Sequence, residues 1–153
     1  MKIDKSWYIK PQNARIRVGA GGVVVRKVGE KVYIALIKDK KFEHFMLPKG
    51  GVEKGEEVVV AAKREIQEET GLNEINLVGK LGVKERLSFE KDRWAITHYF
   101  LFTTTQEKGE QNLQAGEEDL IVEWFDIDQP LPLGWPEQKE VIDENLGKIK
   151  KSI

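Results

Sequence analysis

The stretch LPKGGVEKGEEVVVAAKREIQEETGL, residues 47–72, decides the fold because it joins a glycine-rich loop, a helical segment and a helix stop. Glycines allow the backbone of the loop to turn tightly and to approach a bound ion or anion closely. The spacing of the alanines and glutamates predicts a helix, although the valines at 58–60 favour a strand by propensity. Gly71 is placed as the residue that ends this helix after Thr70.

The predicted helix gathers three carboxylates on one side. At 3.6 residues per turn, Glu65, Glu68 and Glu69 fall within a sector of about 100°. Like charges at this spacing repel one another, and Glu69 also lies near the negative end of the helix dipole. A divalent cation would remove the conflict, since carboxylate oxygens are the ligands that Mg²⁺ and Mn²⁺ prefer. The alternative is a solvated acidic face on which Lys63 and Arg64 pair with nearby acids.

The full spacing of the stretch resembles the Nudix box of the Nudix hydrolases. Its fixed positions run over residues 50–72 as Gly50, five residues, Glu56, seven residues, Arg64-Glu65-Ile66, one residue, Glu68-Glu69, one residue and Gly71-Leu72. The resemblance implies an α/β fold, an α/β/α sandwich around a central mixed β-sheet. It also implies metal-dependent hydrolysis of a diphosphate linkage in a nucleoside diphosphate attached to another moiety, with Mg²⁺ or Mn²⁺ as cofactor.

The same resemblance assigns roles within the box. Glu65, Glu68, Glu69 and the backbone carbonyl of Lys49 are the implied metal ligands, and Arg64 is the residue that orients Glu65. We interpret Glu56 as a structural acid that binds the loop backbone or Arg64, because it lies on a different side of the helix from the acidic sector.

The identity of the general base varies within the family. Here Glu65 and Glu69 are the favoured candidates, and an acid from a later loop is the alternative. Glu118 is the loop candidate, and the adjacent Glu117 is nearly as good.

The lysine after Leu-Pro is similar to the loop of diadenosine tetraphosphate hydrolases and of diphosphoinositol polyphosphate phosphohydrolases. A dinucleoside polyphosphate is therefore the expected substrate, with Lys49 in contact with a phosphate. Lys41, with Lys38 and Lys40, would help to grip the chain unless these lysines are simply solvated. Tyr99 would stack on a base or bind a phosphate, and the alternative is a core position in an alternating strand.

Other activities stay open on the sequence alone. They are a pyrophosphohydrolase that cleanses the nucleotide pool of altered triphosphates, a diphosphoinositol polyphosphate phosphohydrolase, a 5′ RNA pyrophosphohydrolase and a non-catalytic nucleotide-binding module. The module is disfavoured because every box glutamate is present. Nucleic acid is an unlikely partner, because 25 basic residues are balanced by 26 acidic ones.

Length and composition indicate one domain over residues 1–153, as monomer or homodimer. The sequence has neither an apolar run long enough to span a membrane nor cysteine, and its first residues lack the apolar core of a secretory signal. We therefore expect a cytoplasmic protein. Strand patterns are predicted at 16–27, 31–39, 75–89, 94–104 and 120–127, with a closing amphipathic helix over 137–149.

Overall fold

The computed structural model describes all 153 residues and contains six strands and three helices. A single turn of 3₁₀ helix at Lys5–Tyr8 precedes them. The elements in chain order are β1 (Ile16–Val28), β2 (Lys31–Asp39), β3 (Lys49–Gly51), α1 (Val58–Thr70), β4 (Ile75–Leu87), β5 (Trp94–Thr104), β6 (Leu120–Asp126), α2 (Pro136–Glu144) and α3 (Leu146–Lys151).

The strands form one mixed sheet in the order β4-β5-β1-β2-β6, with β3 paired to β1 beside this path. Strands β1 and β5 run parallel, whereas the other neighbours are antiparallel. The centre of β1 is a continuous apolar run because this central strand is covered on both faces.

Side-chain alternation along the strands sends residues to two separate cores. Val23 and Val25 of β1 belong to a core that also contains Val141 and Ile142 of α2 and Ile149 of α3. A second core, on the opposite face of the sheet, includes Ala20 and Val24 of β1 together with Ala61, Ala62 and Ile66 of α1. Helices therefore cover both faces of the sheet, which confirms the predicted α/β sandwich.

The single closing helix predicted over 137–149 is wrong, because the chain breaks it at Asn145. The φ and ψ angles of Asn145 are −119° and 13°, outside the helical region. Its side-chain amide donates hydrogen bonds to the carbonyl oxygens of Leu81 (3.2 Å) and Val141 (2.7 Å). This competition with the helix ladder explains the break, since asparagine readily binds nearby backbone groups.

Two short elements have no counterpart in the sequence predictions. Strand β3 replaces part of the predicted loop, and the 3₁₀ turn places Trp7 in a small core with Trp94, Trp135 and Leu87. None of the helices has the length and apolar character needed to cross a bilayer.

Candidate active site

Helix α1 places two of its three acidic residues in a protected position. The exposed fractions of Glu65 and Glu69 are 9% and 5%, beside the core residues Ala61 and Ile66. Glu68 is only partly buried. The helix ends at Gly71, whose φ of 80° is the left-handed conformation that glycine adopts without strain. The predicted boundary between an apolar sector and an acidic sector is therefore confirmed.

Strand β3 supplies the wall opposite these acids. A side chain at Gly50 would place its Cβ only 2.1 Å from the carboxyl carbon of Glu65. The backbone N–H of Lys49 donates a 2.8 Å hydrogen bond to Oε1 of Glu69. On the far side of β3, a Cβ at Gly21 would lie 2.2 Å from the carbonyl oxygen of Pro48, so β1 also approaches closely. The glycines thus bring the backbone against the carboxylates.

Arg64 ties the loop to the helix. Its Nε and Nη2 atoms donate to the two carboxylate oxygens of Glu56, each at 2.8 Å, and Nη2 also donates to the carbonyl oxygen of Gly51 at 2.9 Å. Its Nη1 atom donates to Oε1 of Glu65 at 2.8 Å. The arginine therefore contacts both the predicted structural acid and the carboxylate that it is expected to orient, and the orienting role itself stays a prediction.

The two classes of acid differ in their protonation behaviour. Hydrogen bonds from Arg64, and one from the Glu53 backbone, lower the pKa of Glu56 to about 2. Burial raises the pKa of Glu69 well above its ordinary value, and the charges of Glu117 and Glu65 add to the shift. Burial also raises the pKa of Glu65, although its hydrogen bond with Arg64 opposes the shift. The acidic sector is thus electrostatically unfavourable as it stands.

Of the two loop acids, Glu117 faces this sector and Glu118 does not. The charge of Glu117 acts on both Glu65 and Glu69, and Glu117 lines the cavity described below. Glu118 is exposed, and its carboxylate accepts hydrogen bonds from the Gly116 N–H, the nearer at 3.0 Å. Of the two loop candidates, Glu117 therefore lies nearer the acidic sector than Glu118, and the catalytic role of either acid stays a prediction.

The carboxylate oxygens of the acidic sector are ligands of the kind that a hard divalent cation prefers. Glu65 and Glu69 each have one carboxylate oxygen, Oε2, that accepts no hydrogen bond from the protein. Together with Glu68 they would hold the ion, and Mg²⁺ and Mn²⁺ prefer such oxygens. No group of three or more histidine or acidic side chains is already assembled around a point where a metal ion would lie. The carboxylates instead contact groups of the protein, since Glu65 and Glu68 both approach Arg64 and Glu69 accepts from the Lys49 N–H.

A cavity of about 560 Å³ opens beside the acids. Four cationic side chains line it, and they are Arg17, Lys41, Lys49 and Arg86. Burial and the neighbouring charges of Arg86 and Arg17 lower the pKa of Lys49 to about 8. The cavity therefore has an acidic wall and a basic wall that meet where the Lys49 backbone binds Glu69.

Lys41 is exposed and lies 3.6 Å from the carboxylate of Asp119, so part of its charge is compensated. Its binding to a phosphate chain stays a prediction. The ammonium nitrogen of Lys38, from the same group of lysines, lies 5.6 Å from the centre of the Phe45 ring.

An aromatic pair lines the outer part of the cavity. The rings of Phe42 and Phe89 meet edge to face, with 5.4 Å between their centroids. Their exposed fractions are 38% and 52%, which is high for large apolar side chains. No local pattern in the sequence predicts this pair, because the two residues come from distant loops.

Tyr99 does not reach the cavity. Its side chain is fully buried in the core on the α2 side, where its hydroxyl accepts a 3.2 Å hydrogen bond from the Gln138 amide. It has no access to a base or a phosphate, so its assignment as a substrate-binding residue is wrong. Alternation along β5 points it inward, as in the core alternative considered for this strand.

Comparison with known proteins identifies the family. The family model described as the NUDIX domain matches residues 15–144, which is most of the chain. The chain therefore belongs to the Nudix family.

The individual relatives match either over a shorter segment or at a lower sequence identity. The RNA pyrophosphohydrolase of Pelagibacter ubique (strain HTCC1062) is 39% identical over 66 residues, which are 43% of this chain and 41% of that protein. Nudix hydrolase 6 of Arabidopsis thaliana is 28% identical over 138 residues, which are 86% of this chain and 46% of that protein. The chain thus spans less than half the length of these two relatives.

Among solved structures, the crystal structure of a C. elegans Ap4A hydrolase binary complex matches with a TM-score of 0.71 at 17% identity. The match covers 88% of this chain and 98% of that chain. At this identity the likeness concerns the fold.

Proposed function

We propose that the protein hydrolyses a diphosphate linkage in a nucleoside diphosphate attached to another moiety. The observation that carries the proposal is the position of Glu65 and Glu69. Both are buried against the backbone of Lys49 and Gly50, at the junction of an acidic and a basic wall. A phosphate chain and a divalent cation have opposite charges, so this junction suits both together.

A divalent ion bound to Glu65, Glu68 and Glu69 would supply charge neutralisation and a more acidic water. Arg64 binds Oε1 of Glu65 through Nη1 and the loop through the carbonyl of Gly51, so it would orient this acid while Oε2 stays free for the ion. Glu69 and Glu117 are the carboxylates that would take the proton from an attacking water, because both line the cavity. Lys49 and Arg86 on the opposite wall would bind the phosphate oxygens.

A dinucleoside polyphosphate such as diadenosine tetraphosphate is the proposed substrate. The lysine of the Leu-Pro-Lys loop lines the cavity, as its resemblance to the loop of diadenosine tetraphosphate hydrolases implies. The exposed Phe42 and Phe89 rings offer a base a stacking surface at the cavity's outer part. Because the cavity volume of about 560 Å³ is smaller than such a ligand needs in full, one nucleoside would extend into solvent.

A second candidate is the removal of a 5′ pyrophosphate from RNA. The similarity to the RNA pyrophosphohydrolase of Pelagibacter ubique over 66 residues favours it, although the near balance of 25 basic and 26 acidic residues does not. The two candidates use the same acidic wall and differ in what binds outside it.

The experiment is a substrate panel with Mg²⁺, analysed for the products of phosphate-chain cleavage. The panel contains diadenosine tetraphosphate, nucleoside triphosphates, ADP-ribose, a diphosphoinositol polyphosphate and 5′-triphosphate RNA. We expect the highest kcat/KM with diadenosine tetraphosphate. Faster turnover of the RNA would support the second candidate, and no turnover of any member would contradict hydrolysis and favour a binding module.

A further inference from the structure

Arg86 of β4 is buried and firmly oriented. Its exposed fraction is 6%, and its guanidinium lies 3.5 Å from the centre of the Trp135 ring. Its Nε donates to Oε2 of Glu137 at 2.7 Å, and its Nη1 donates to the carbonyl oxygen of Leu87 at 2.9 Å. Three contacts therefore fix the plane of the guanidinium.

One end of this guanidinium is not used by the protein. Nη2 donates no hydrogen bond to any protein atom and is not among the buried polar atoms without partners, so it faces accessible space. Arg86 lines the cavity, which is the accessible space beside it. A planar guanidinium with free N–H donors in a partly enclosed site is suited to an oxyanion, above all to a phosphate.

Two further cations share this wall without a direct ion pair. Arg17 and Lys49 line the same cavity, and neither side chain forms a salt bridge or a hydrogen bond within the protein. The charge of Arg86 is offset by Glu137, but those of Arg17 and Lys49 are offset by no such contact. The basic wall therefore carries two positive charges without direct ion pairs, beside the acidic sector of α1.

We propose that Arg86, Lys49 and Arg17 form a binding subsite for the part of a polyphosphate chain beyond the hydrolysed linkage, so that the protein selects ligands with three or more consecutive phosphates. The inference rests on the proposed function, because it places the substrate's phosphate chain in this cavity. A ligand with only two phosphates would leave the guanidinium of Arg86 without an anion.

The orientation of Arg86 depends on residues near the start of the chain. The hydroxyl of Tyr8 donates a 2.5 Å hydrogen bond to Oε1 of Glu137, whose other oxygen accepts from Arg86. Tyr8 lies outside the residues 15–144 that match the family model. Trp7, beside it, packs edge to face on Trp135 at 5.1 Å. Tyr8 and Glu137 are thus positioning residues that act on the cavity through Arg86.

The test is isothermal titration calorimetry with inorganic phosphate, pyrophosphate and tripolyphosphate in metal-free buffer. We expect the affinity of the wild-type protein to rise with chain length and to be highest for tripolyphosphate. Arg86→Lys keeps a charge opposite Glu137 but loses the forked donors. The Arg86→Lys substitution should weaken tripolyphosphate binding by about tenfold or more, because losing a hydrogen bond between charged groups typically lowers affinity by that factor.

Lys84→Met is the matched control. Lys84 lies two residues before Arg86 on β4 and likewise pairs with acids of α2, Glu140 at 3.1 Å and Glu144 at 2.7 Å, but it does not line the cavity. Its replacement should leave tripolyphosphate binding unchanged. Arg17→Met removes an exposed side chain and provides a second variant, for which weaker binding is also expected.

Equal tripolyphosphate affinity in the wild type, Arg86→Lys and Arg17→Met would overturn the inference, as would a wild type that binds tripolyphosphate no more tightly than phosphate. The titration needs neither Mg²⁺ nor turnover. A protein that binds tripolyphosphate through Arg86 but hydrolyses nothing would therefore contradict the proposed function alone. Hydrolysis with binding insensitive to Arg86→Lys would contradict the subsite alone.

Discussion

Glu56 and Glu69 belong to the same motif, yet their surroundings differ in kind. Glu56 accepts hydrogen bonds from Nε and Nη2 of Arg64 and from the Glu53 N–H, and its pKa is about 2. Burial raises the pKa of Glu69, and the charges of Glu117 and Glu65 add to the shift. The only hydrogen bond to its carboxylate comes from the Lys49 N–H. The acid at the loop end of α1 is therefore ion-paired within the protein, whereas the carboxylate of Glu69 has no such side-chain partner.

The largest expected effect is that of Glu69→Gln on catalysis. The amide oxygen can still accept the hydrogen bond from Lys49, so the substitution removes mainly a charge. We expect kcat to fall about a hundredfold or more, because stabilisation by the metal ion is lost. Steady-state kinetics with diadenosine tetraphosphate and circular dichroism would measure rate and fold together. Wild-type activity in this variant would remove Glu69 from the metal-binding face.

The next effect separates the two loop acids. Glu117→Gln should lower kcat by about tenfold, because the charge of Glu117 acts on the acidic sector. Glu118→Gln is its control and should leave kcat unchanged, since the carboxylate of Glu118 is exposed and binds the Gly116 N–H. Parallel measurements of kcat for the two variants would show which loop acid acts in catalysis. A larger loss of kcat with Glu118→Gln would contradict the preference for Glu117.

A smaller effect, on stability, is expected at the opposite end of α1. Glu56→Gln replaces a carboxylate that accepts from two Arg64 nitrogens with an amide that offers one acceptor oxygen. The melting temperature should fall by a few degrees, whereas Glu69→Gln in metal-free buffer should raise it by relieving repulsion. Differential scanning calorimetry of the two variants would test this contrast, and shifts of the same sign would argue against it.

The smallest effect is a pH dependence of opposite sign for the two acids. The folded pKa of Glu69 is raised, so metal-free protein should lose stability as pH rises from the ordinary value of 4.5 through the raised one. The folded pKa of Glu56 is lowered, so its contribution is present above 4.5 and is lost as pH falls towards about 2. Melting temperatures across this pH range would show both slopes, and Glu69→Gln should flatten only the upper one.

Local patterns in the sequence predicted the elements whose determinants lie close together in the chain. The glycine loop, the acidic helix and its stop at Gly71 follow from spacing within residues 47–72, and the structure confirms all three. The long strands follow from alternation and from β-branched residues. The pairing of Glu56 with Arg64 was one of the two contacts predicted for this structural acid, although Glu56 lies in the loop before α1.

Contacts between distant segments explain what the sequence did not predict. The break at Asn145 depends on the carbonyl of Leu81 in β4, and the burial of Tyr99 depends on Gln138 in α2. Arg86 is a single arginine near the end of an alternating strand, a pattern that does not distinguish a cavity position from a surface one. Only the packing of β4 against Glu137 and Trp135 gives it that role.

The most direct test of the central claim is the affinity for Mn²⁺, followed by the loss of the free-ion electron paramagnetic resonance signal in substrate-free protein. We expect saturable binding in the wild type and in Glu56→Gln, and binding at least about tenfold weaker in Glu69→Gln. Equal Mn²⁺ affinity in Glu69→Gln and the wild type would contradict the claim that the acidic side of α1 is the metal site.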